Sequence, residues 1–432
     1  MDLLAGRSAE AARHPVSSAS PRTGSEGGLS RRLVLGRLER LTGGELLLRE
    51  AGTETRLGRP AADGLRAELE VRDPRFWREL TTGGSLGAAE AYLAGWWDSR
   101  DLTALVRLMA RDRSVTGHLE SGLARLGHLA ARVWHALRPN SRTGSRKNIE
   151  AHYDLGNDFF ATFLDASMTY SAALFETPGL TLEEAQEAKI DRLCRKLQLT
   201  ADDHLLEIGT GWGSFAVHAA GRYGCRVTTT TISPSQHAVA VQRVAAAGLE
   251  DRVEILQKDY RDLTGTYSKI VSVEMIEAVG HRYLPTFFAT LDRLLRPDGL
   301  VALQAITIAD RNYEAALQSV DFIQRYIFPG GFIPSLTALA TAASRSSGLT
   351  PLHVEDLGLH YAETLCHWRD RFEAARDRIL AQGYPERFLR LWRYYLCYCE
   401  GGFRERVIGD AQILFAGPQF RGQTLLGTLR EA

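Results

Sequence analysis

The sequence predicts an α/β fold: a Rossmann-like, mostly parallel sheet behind a smaller, mainly helical N-terminal domain. Three observations carry this. Residues 205–208 read as a short buried strand that ends in the glycine turn Gly209-Thr-Gly-Trp-Gly213. Beyond the turn, strand-like and helix-like periods alternate, as in a parallel sheet with crossover helices. Upstream, helical spacing dominates the first third of the chain.

Composition sets the outer bounds. The 432 residues suffice for two or three domains, and 52 basic residues balance 52 acidic ones. A net pull toward nucleic acid or an anionic membrane is therefore not expected, although local patches remain open. Cys194, Cys225, Cys366, Cys397 and Cys399 lack paired metal spacing, so no metal site is expected. Their odd number and scatter fit a reducing cytoplasm. No run of 18 apolar residues suggests a membrane span, and the first residues show no signal-peptide pattern.

In chain order, residues 1–30 read as a disordered tail, 31–140 as the N-terminal domain and 141–432 as the main domain. Residues 41–57 read as a hairpin turning at Gly43-Gly44. Asp73-Pro74 opens a helix bearing Phe76, Trp77 and Leu80, which the glycines of 83–87 break. The segment 98–101 caps another helix with Leu102, Leu105, Val106 and Met109 on its apolar face. A basic helix over 117–137 fits either a packed surface element or one resting on a bilayer. A polar linker at 139–147 marks the domain boundary.

His152, Tyr153, Asp154, Asn157, Tyr170 and Ser171 crowd an aperiodic, aromatic stretch that reads as a site wall. Thr181 and Glu184 form a capping box for a helix over 180–199. The strands are expected at 205–208, 226–231, 253–257, 269–273 and 300–304. Glu207, Thr231, Asp259, Glu274, Glu277, Gln304 and Ile306 then lie at or just beyond strand carboxyl ends, where open α/β sheets bind ligands.

Gly209, Gly211 and Gly213 follow G-x-G-x-G rather than the dinucleotide G-x-G-x-x-G. With Glu207 just before the turn, S-adenosylmethionine (SAM) suits it better than a pyrophosphate. Ser233, Ser235 and Gln236 fit contacts to a ribose or adenine, or helix caps. Asp259 fits a reader of an adenine amino group or a solvated loop acid, with Tyr260 beside it. Glu277, flanked by apolar residues, is the stronger site candidate. Glu274 reads as charge complementing a helix dipole. The 326–334 loop, with Ile323 and Phe328, fits an alkyl channel or simple packing under a loop. Tyr361 opens a long helix, and 394–403 reads as an aromatic core helix.

The order of motifs is H-Y-D-L-G-N-D from His152, M-T-Y-S from Met168, L-E-I-G-T-G-W-G from Leu206, D-Y-R-D from Asp259, M-I-E-A-V-G from Met275 and H-Y-A-E-T-L from His360. This order resembles the cyclopropane fatty acid synthase family, over about 148–415. Within it, the 273–280, 303–307 and 360–365 motifs are most similar to the tuberculostearic-acid methyltransferase branch. The resemblance implies a class I SAM-dependent methyltransferase. It would methylate a cis double bond of an unsaturated phospholipid acyl chain, giving a methylene or methyl-branched product, or a cyclopropane. It implies bicarbonate at an anion site formed by Glu277, Tyr361, Ile306, Gln304 and the backbone at Ala172. Gln304 stands where the family has His and Ala172 where it has Cys. Tyr170 and His152 complete the expected catalytic set. The expected SAM contacts are Tyr170, Ser171, Glu207, Gly209, Gly211, Gly213, Thr231, Ser233, Gln236, Asp259 and Tyr260. Expected partners are a phospholipid at the inner membrane face, a separate reductase for a methylene product and a second copy of the chain. Nucleic acid is not expected. A methyltransferase on a soluble metabolite and a non-catalytic lipid-binding relative are the rival readings.

Overall fold

The computed structural model describes residues 26–112 and 155–423. The chain divides into two compact units: Met1–Ala130 with Arg376–Tyr398, and Ala131–Ala375 with Cys399–Ala432. The basic helix expected over 117–137, the linker at 139–147, and His152, Tyr153 and Asp154 lie outside the described residues.

The first unit combines helices with a four-stranded sheet ordered β2-β1-β3-β4. Its strands are β1 (Glu45–Glu50), β2 (Thr53–Gly58), β3 (Arg66–Val71) and β4 (Trp97–Asp98). Period-two burial of Leu46 and Leu48, and of Ala67, Leu69 and Val71, explains why these runs form strands. The expected hairpin exists, but its turn is Ala51-Gly52 rather than Gly43-Gly44. Both turn residues have positive φ, the geometry that matches strand twist. The expected break at 83–87 reduces to one non-helical residue, Gly84, inside a helix spanning Arg75–Leu93. Asp101 caps the next helix by accepting from the Ala104 N–H at 2.8 Å. Arg390, distant in sequence, lies 3.9 Å over the Tyr92 ring and donates to Asp98 and to the Tyr92 and Trp97 carbonyls.

The second unit holds a seven-stranded sheet ordered β10-β11-β9-β8-β5-β6-β7. The strands are β5 (His204–Ile208), β6 (Arg226–Thr230), β7 (Val253–Leu256), β8 (Tyr267–Val273), β9 (Leu295–Ile308), β10 (Thr350–Asp356) and β11 (Ile408–Ala416). The pairings from β9 through β7 are parallel, whereas β10 and β11 are antiparallel additions. The chain winds from β5 toward β7, then returns to β8 on the other side of β5. The carboxyl ends of β5 and β8 therefore flank the topological switch point, where such sheets take ligands. The Thr181–Glu184 capping box forms and starts the Leu182–Lys196 helix.

The glycine turn closes because the Gly209 and Thr210 N–H groups both donate to the Thr230 carbonyl, at 3.0 and 3.1 Å. Its glycines have different physical reasons. Gly211 has φ 52°, and a Cβ there would meet nothing within 4 Å. Gly213 has φ 90° at the start of the Ser214–Tyr223 helix, and a Cβ there would stand 3.1 Å from Ala240 Cα and Cβ. Gly213 thus serves packing between helices, while Gly211 leaves open backbone. Gly213→Ala is expected to lower the unfolding free energy by about 2 kcal/mol and Gly211→Ala by about 1 kcal/mol. Urea unfolding midpoints check the order, and equal losses would refute the distinction.

Candidate active site

The glycine turn and the 157–174 segment are tied together. Trp212 Nε1 donates to Asn157 Oδ1 at 2.8 Å, and the Thr169 and Ser214 hydroxyls share a 3.0 Å hydrogen bond. Glu207 is buried and accepts from Thr229 Oγ1 at 2.6 Å. Burial pushes its carboxyl up to about 8, against the Thr229 bond and the Lys189 charge. Thr231 Oγ1 donates to Gln236 Oε1 at 2.9 Å, and Ser233 caps the Pro234–Ala246 helix through the Gln236 N–H. The helix-cap role of Ser233 is thus realised. Asp259 opens a short turn and holds Arg261 Nη2 at 2.6 Å; the Tyr260 ring packs edge-on against Phe287. The open backbone at Gly211, the helix start behind it and the acid at the strand end together fit SAM.

A polar cluster lies at the ends of β8 and β9. Glu274 departs from its reading as a dipole-complementing helix acid. It has φ 46°, a left-handed backbone that costs a residue with a Cβ roughly 1–2 kcal/mol. It opens no α-helix: two short 3-10 turns, Ile276–Ala278 and His281–Tyr283, come before the Leu284–Leu294 helix. Its Oε1 accepts from the Ala172 N–H and from Gln304 Nε2, each at 2.8 Å. Its Oε2 accepts from the Tyr361 hydroxyl at 2.8 Å. Burial pushes this carboxyl above the ordinary range, opposed by Ala172, the Lys189 charge, Tyr361 and Gln304.

Glu277 Oε1 accepts from the Ile306 N–H at 2.6 Å. Its Oε2 is sealed from solvent and has no hydrogen-bond partner among the described residues. Burial, then repulsion from Glu274, pushes its carboxyl up to about 8. Asp410 pairs with Ile306 across the β9–β11 ladder and is fully buried. Both its carboxyl oxygens lack a hydrogen-bond partner among the described residues. Burial, then Glu274 and Glu277, holds it well above the usual carboxylate range. Burial thus favours the neutral form of Glu277 and Asp410, and of the three acids Glu274 has the most hydrogen-bond donors opposing that push.

Lys189 is buried and donates to Ser171 Oγ at 2.6 Å; burial lowers it to about 8. The Tyr361 ring stacks on Phe403 with centroids 4.5 Å apart and meets Trp368 at 6.0 Å. Tyr170 lies 5.1 Å from Trp368, 5.4 Å from Phe160 and 6.3 Å from Phe328. The Phe332 N–H donates to the Glu277 carbonyl, which ties the 328–334 loop to the cluster. Phe175 stacks on His367, with ring centroids 5.4 Å apart.

Of the expected residues, Tyr361 and Gln304 meet on Glu274, and Ile306 meets Glu277. Sequence reasoning gave Glu274 a helix-dipole role and did not single out Lys189 or Asp410. One available signal was helical spacing, since Leu182, Gln186, Lys189, Leu193 and Lys196 all lie buried in one helix. A lysine on an apolar stripe needs a polar partner inside.

The family model described as mycolic acid cyclopropane synthetase matches residues 140–413. The tuberculostearic acid methyltransferase UfaA1 of Mycobacterium tuberculosis is 42% identical over 385 residues, 86% of this chain and 88% of its own length. The cyclopropane-fatty-acyl-phospholipid synthase of Escherichia coli is 37% identical over 352 residues, 81% of this chain and 88% of its own. The crystal structure of the mycolic acid cyclopropane synthase CmaA1, complexed with SAH and CTAB, superposes with a TM-score of 0.59 at 34% identity. It covers 63% of this chain and 98% of that one. The chain belongs to the mycolic acid cyclopropane synthetase family of SAM-dependent methyltransferases.

Proposed function

We propose that this chain transfers a methyl group to the double bond of an unsaturated acyl chain in a phospholipid, with a mid-chain methylene as the product and a methyl branch after a separate reductase. The observation that carries this reading is the aromatic wall of Tyr170, Phe160, Phe328 and Trp368 beside the carboxylate cluster. Phe160 also packs against Trp212 of the glycine turn, with ring centroids 5.4 Å apart. An alkene is a weak nucleophile, so it must be held in line with the methyl donor. The electron-deficient carbon that follows needs a site without free water, and aromatic faces stabilise positive charge. SAM, held at Gly209, Gly211 and Glu207, supplies the methyl group. The chain's own residues orient the acyl chain, exclude water and receive a proton.

The names of the relatives support a fatty-acyl substrate, and two of them divide between the two products. Among the described residues no helix is long and apolar enough to cross a membrane. We place the reaction at the cytoplasmic membrane surface, where phospholipid acyl chains are accessible.

Monounsaturated phospholipid vesicles incubated with the chain and methyl-labelled SAM are expected to take label into the lipid fraction. Absence of lipid label would sink the reading. Hydrogenation followed by mass spectrometry separates methylene, which takes up hydrogen, from a ring. Glu277→Gln is expected to cut kcat at least about tenfold while SAM affinity stays near wild type; steady-state kinetics with calorimetry reads both.

The raised Glu277 carboxyl also links to stability. Between the ordinary carboxylate range and about 8, the folded chain binds more protons at this group than the unfolded chain. Its contribution is complete below the unfolded value and is lost as pH rises through about 8. Urea midpoints measured from pH 5 to 8 are expected to fall less steeply for Glu277→Gln than for wild type. Identical slopes would show that Glu277 does not titrate in this window.

A further inference from the structure

The residues implied for a bicarbonate ion do not fit one here. The Ala172 N–H, the Tyr361 hydroxyl and the Gln304 amide all point at one acceptor, and that acceptor is Glu274. A second anion would have to share these donors with a carboxylate already bonded to them.

The polarity of this arrangement is set from a distance. Lys196 is buried, and its ammonium donates to Gln412 Oε1 at 2.7 Å and to Glu355 Oε2 at 2.6 Å. An ammonium has no acceptor, so Gln412 must present its oxygen to Lys196. Its Nε2 then donates to Gln304 Oε1 at 3.0 Å. Gln304 is left with its Nε2 toward Glu274. The amides cannot be reversed without placing an NH₂ group against the ammonium. The chain of bonds therefore requires an acceptor at Glu274 Oε1, and a carboxylate oxygen meets it. The backbone at Glu274 is left-handed, with φ 46°, a conformation that persists where the surrounding contacts fix the residue.

We infer that Glu274 is the resident base of this reaction, its carboxylate standing where a bound anion would otherwise be held and taking the proton that the methylated acyl chain loses. This rests on the acyl-methylation reading above. Once the methyl group has joined one alkene carbon, the neighbouring carbon is electron-deficient. For the methylene product, a hydrogen first shifts with its electron pair from the methylated carbon to that neighbour. A C–H bond of the new methyl group then breaks. Its electron pair remains on carbon as the new π bond, and the proton bonds to a Glu274 oxygen. For a ring, the same pair becomes the closing C–C bond. No oxidant or reductant enters either route. Glu277 is less suited, because a single donor, the Ile306 N–H, supports charge on its carboxyl where three support it on Glu274.

The test uses the full chain, SAM and monounsaturated phospholipid vesicles in decarbonated buffer, with and without added sodium bicarbonate. Wild type is expected to show the same kcat in both. Glu274→Gly and Glu274→Gln are expected to lose about a hundredfold or more in kcat, with SAM affinity by calorimetry changed less than about threefold. Added formate or bicarbonate is expected to restore part of the Glu274→Gly activity, because a small anion can take the vacated donors; a merely structural role would give no such rescue. Bicarbonate-dependent turnover by wild type would overturn the inference, as would full turnover by Glu274→Gln. The wild-type arm needs no substitution, so a variant that fails to fold does not shield the idea. Active transfer to lipid with bicarbonate dependence refutes this inference alone; no transfer to lipid refutes the substrate reading beneath it as well.

Discussion

A carboxylate removed from water must find its hydrogen bonds in the protein, and Glu274 draws its three from three distant segments. Ala172 comes from the aperiodic stretch before the sheet, Gln304 from β9 and Tyr361 from the Gly358–Ala374 helix. Each donor is fixed by something else: Tyr361 by its stack on Phe403, Gln304 by Gln412, and Ala172 by burial. Moving any of these elements would leave a charge half solvated and half paired, which is costly in a low-dielectric site. The cluster thus constrains the register of the whole carboxyl edge.

That register comes from β11. Gln412 faces Gln304 and Asp410 faces Ile306 because β11 pairs antiparallel with β9 in one alignment. A slip by one residue would turn both side chains to the opposite face of the sheet. The late strand therefore contributes chemistry as well as covering the sheet edge. It connects the buried Lys196 to the site through two amides, and Glu355 and Arg192 complete the ion pairs at the far end.

Much of the architecture was legible beforehand. The five parallel strands, the glycine turn and the capping box at Thr181 follow from local rules: apolar runs, glycine spacing and side-chain capping. Tyr361, Gln304 and Ile306 were also recognisable, and the structure brings them to the same cluster. The strands β10 and β11 were not read, since their place depends on pairing with β9, which short-range periodicity does not report. The turn of the first hairpin was misplaced because two glycine-containing sites competed, and strand pairing favoured the second.

By itself, the sequence determined the fold class and the family, because periodicity and motif order are written along the chain. It also marked Glu277 as a site candidate just beyond the fourth parallel strand. Only the tertiary structure decided which donors each acid meets. Glu274 and Glu277 are three residues apart and chemically identical, so nothing local separates them. Donors converging from sequence-distant segments give Glu274 three hydrogen bonds, whereas Glu277 accepts one and burial favours its neutral form.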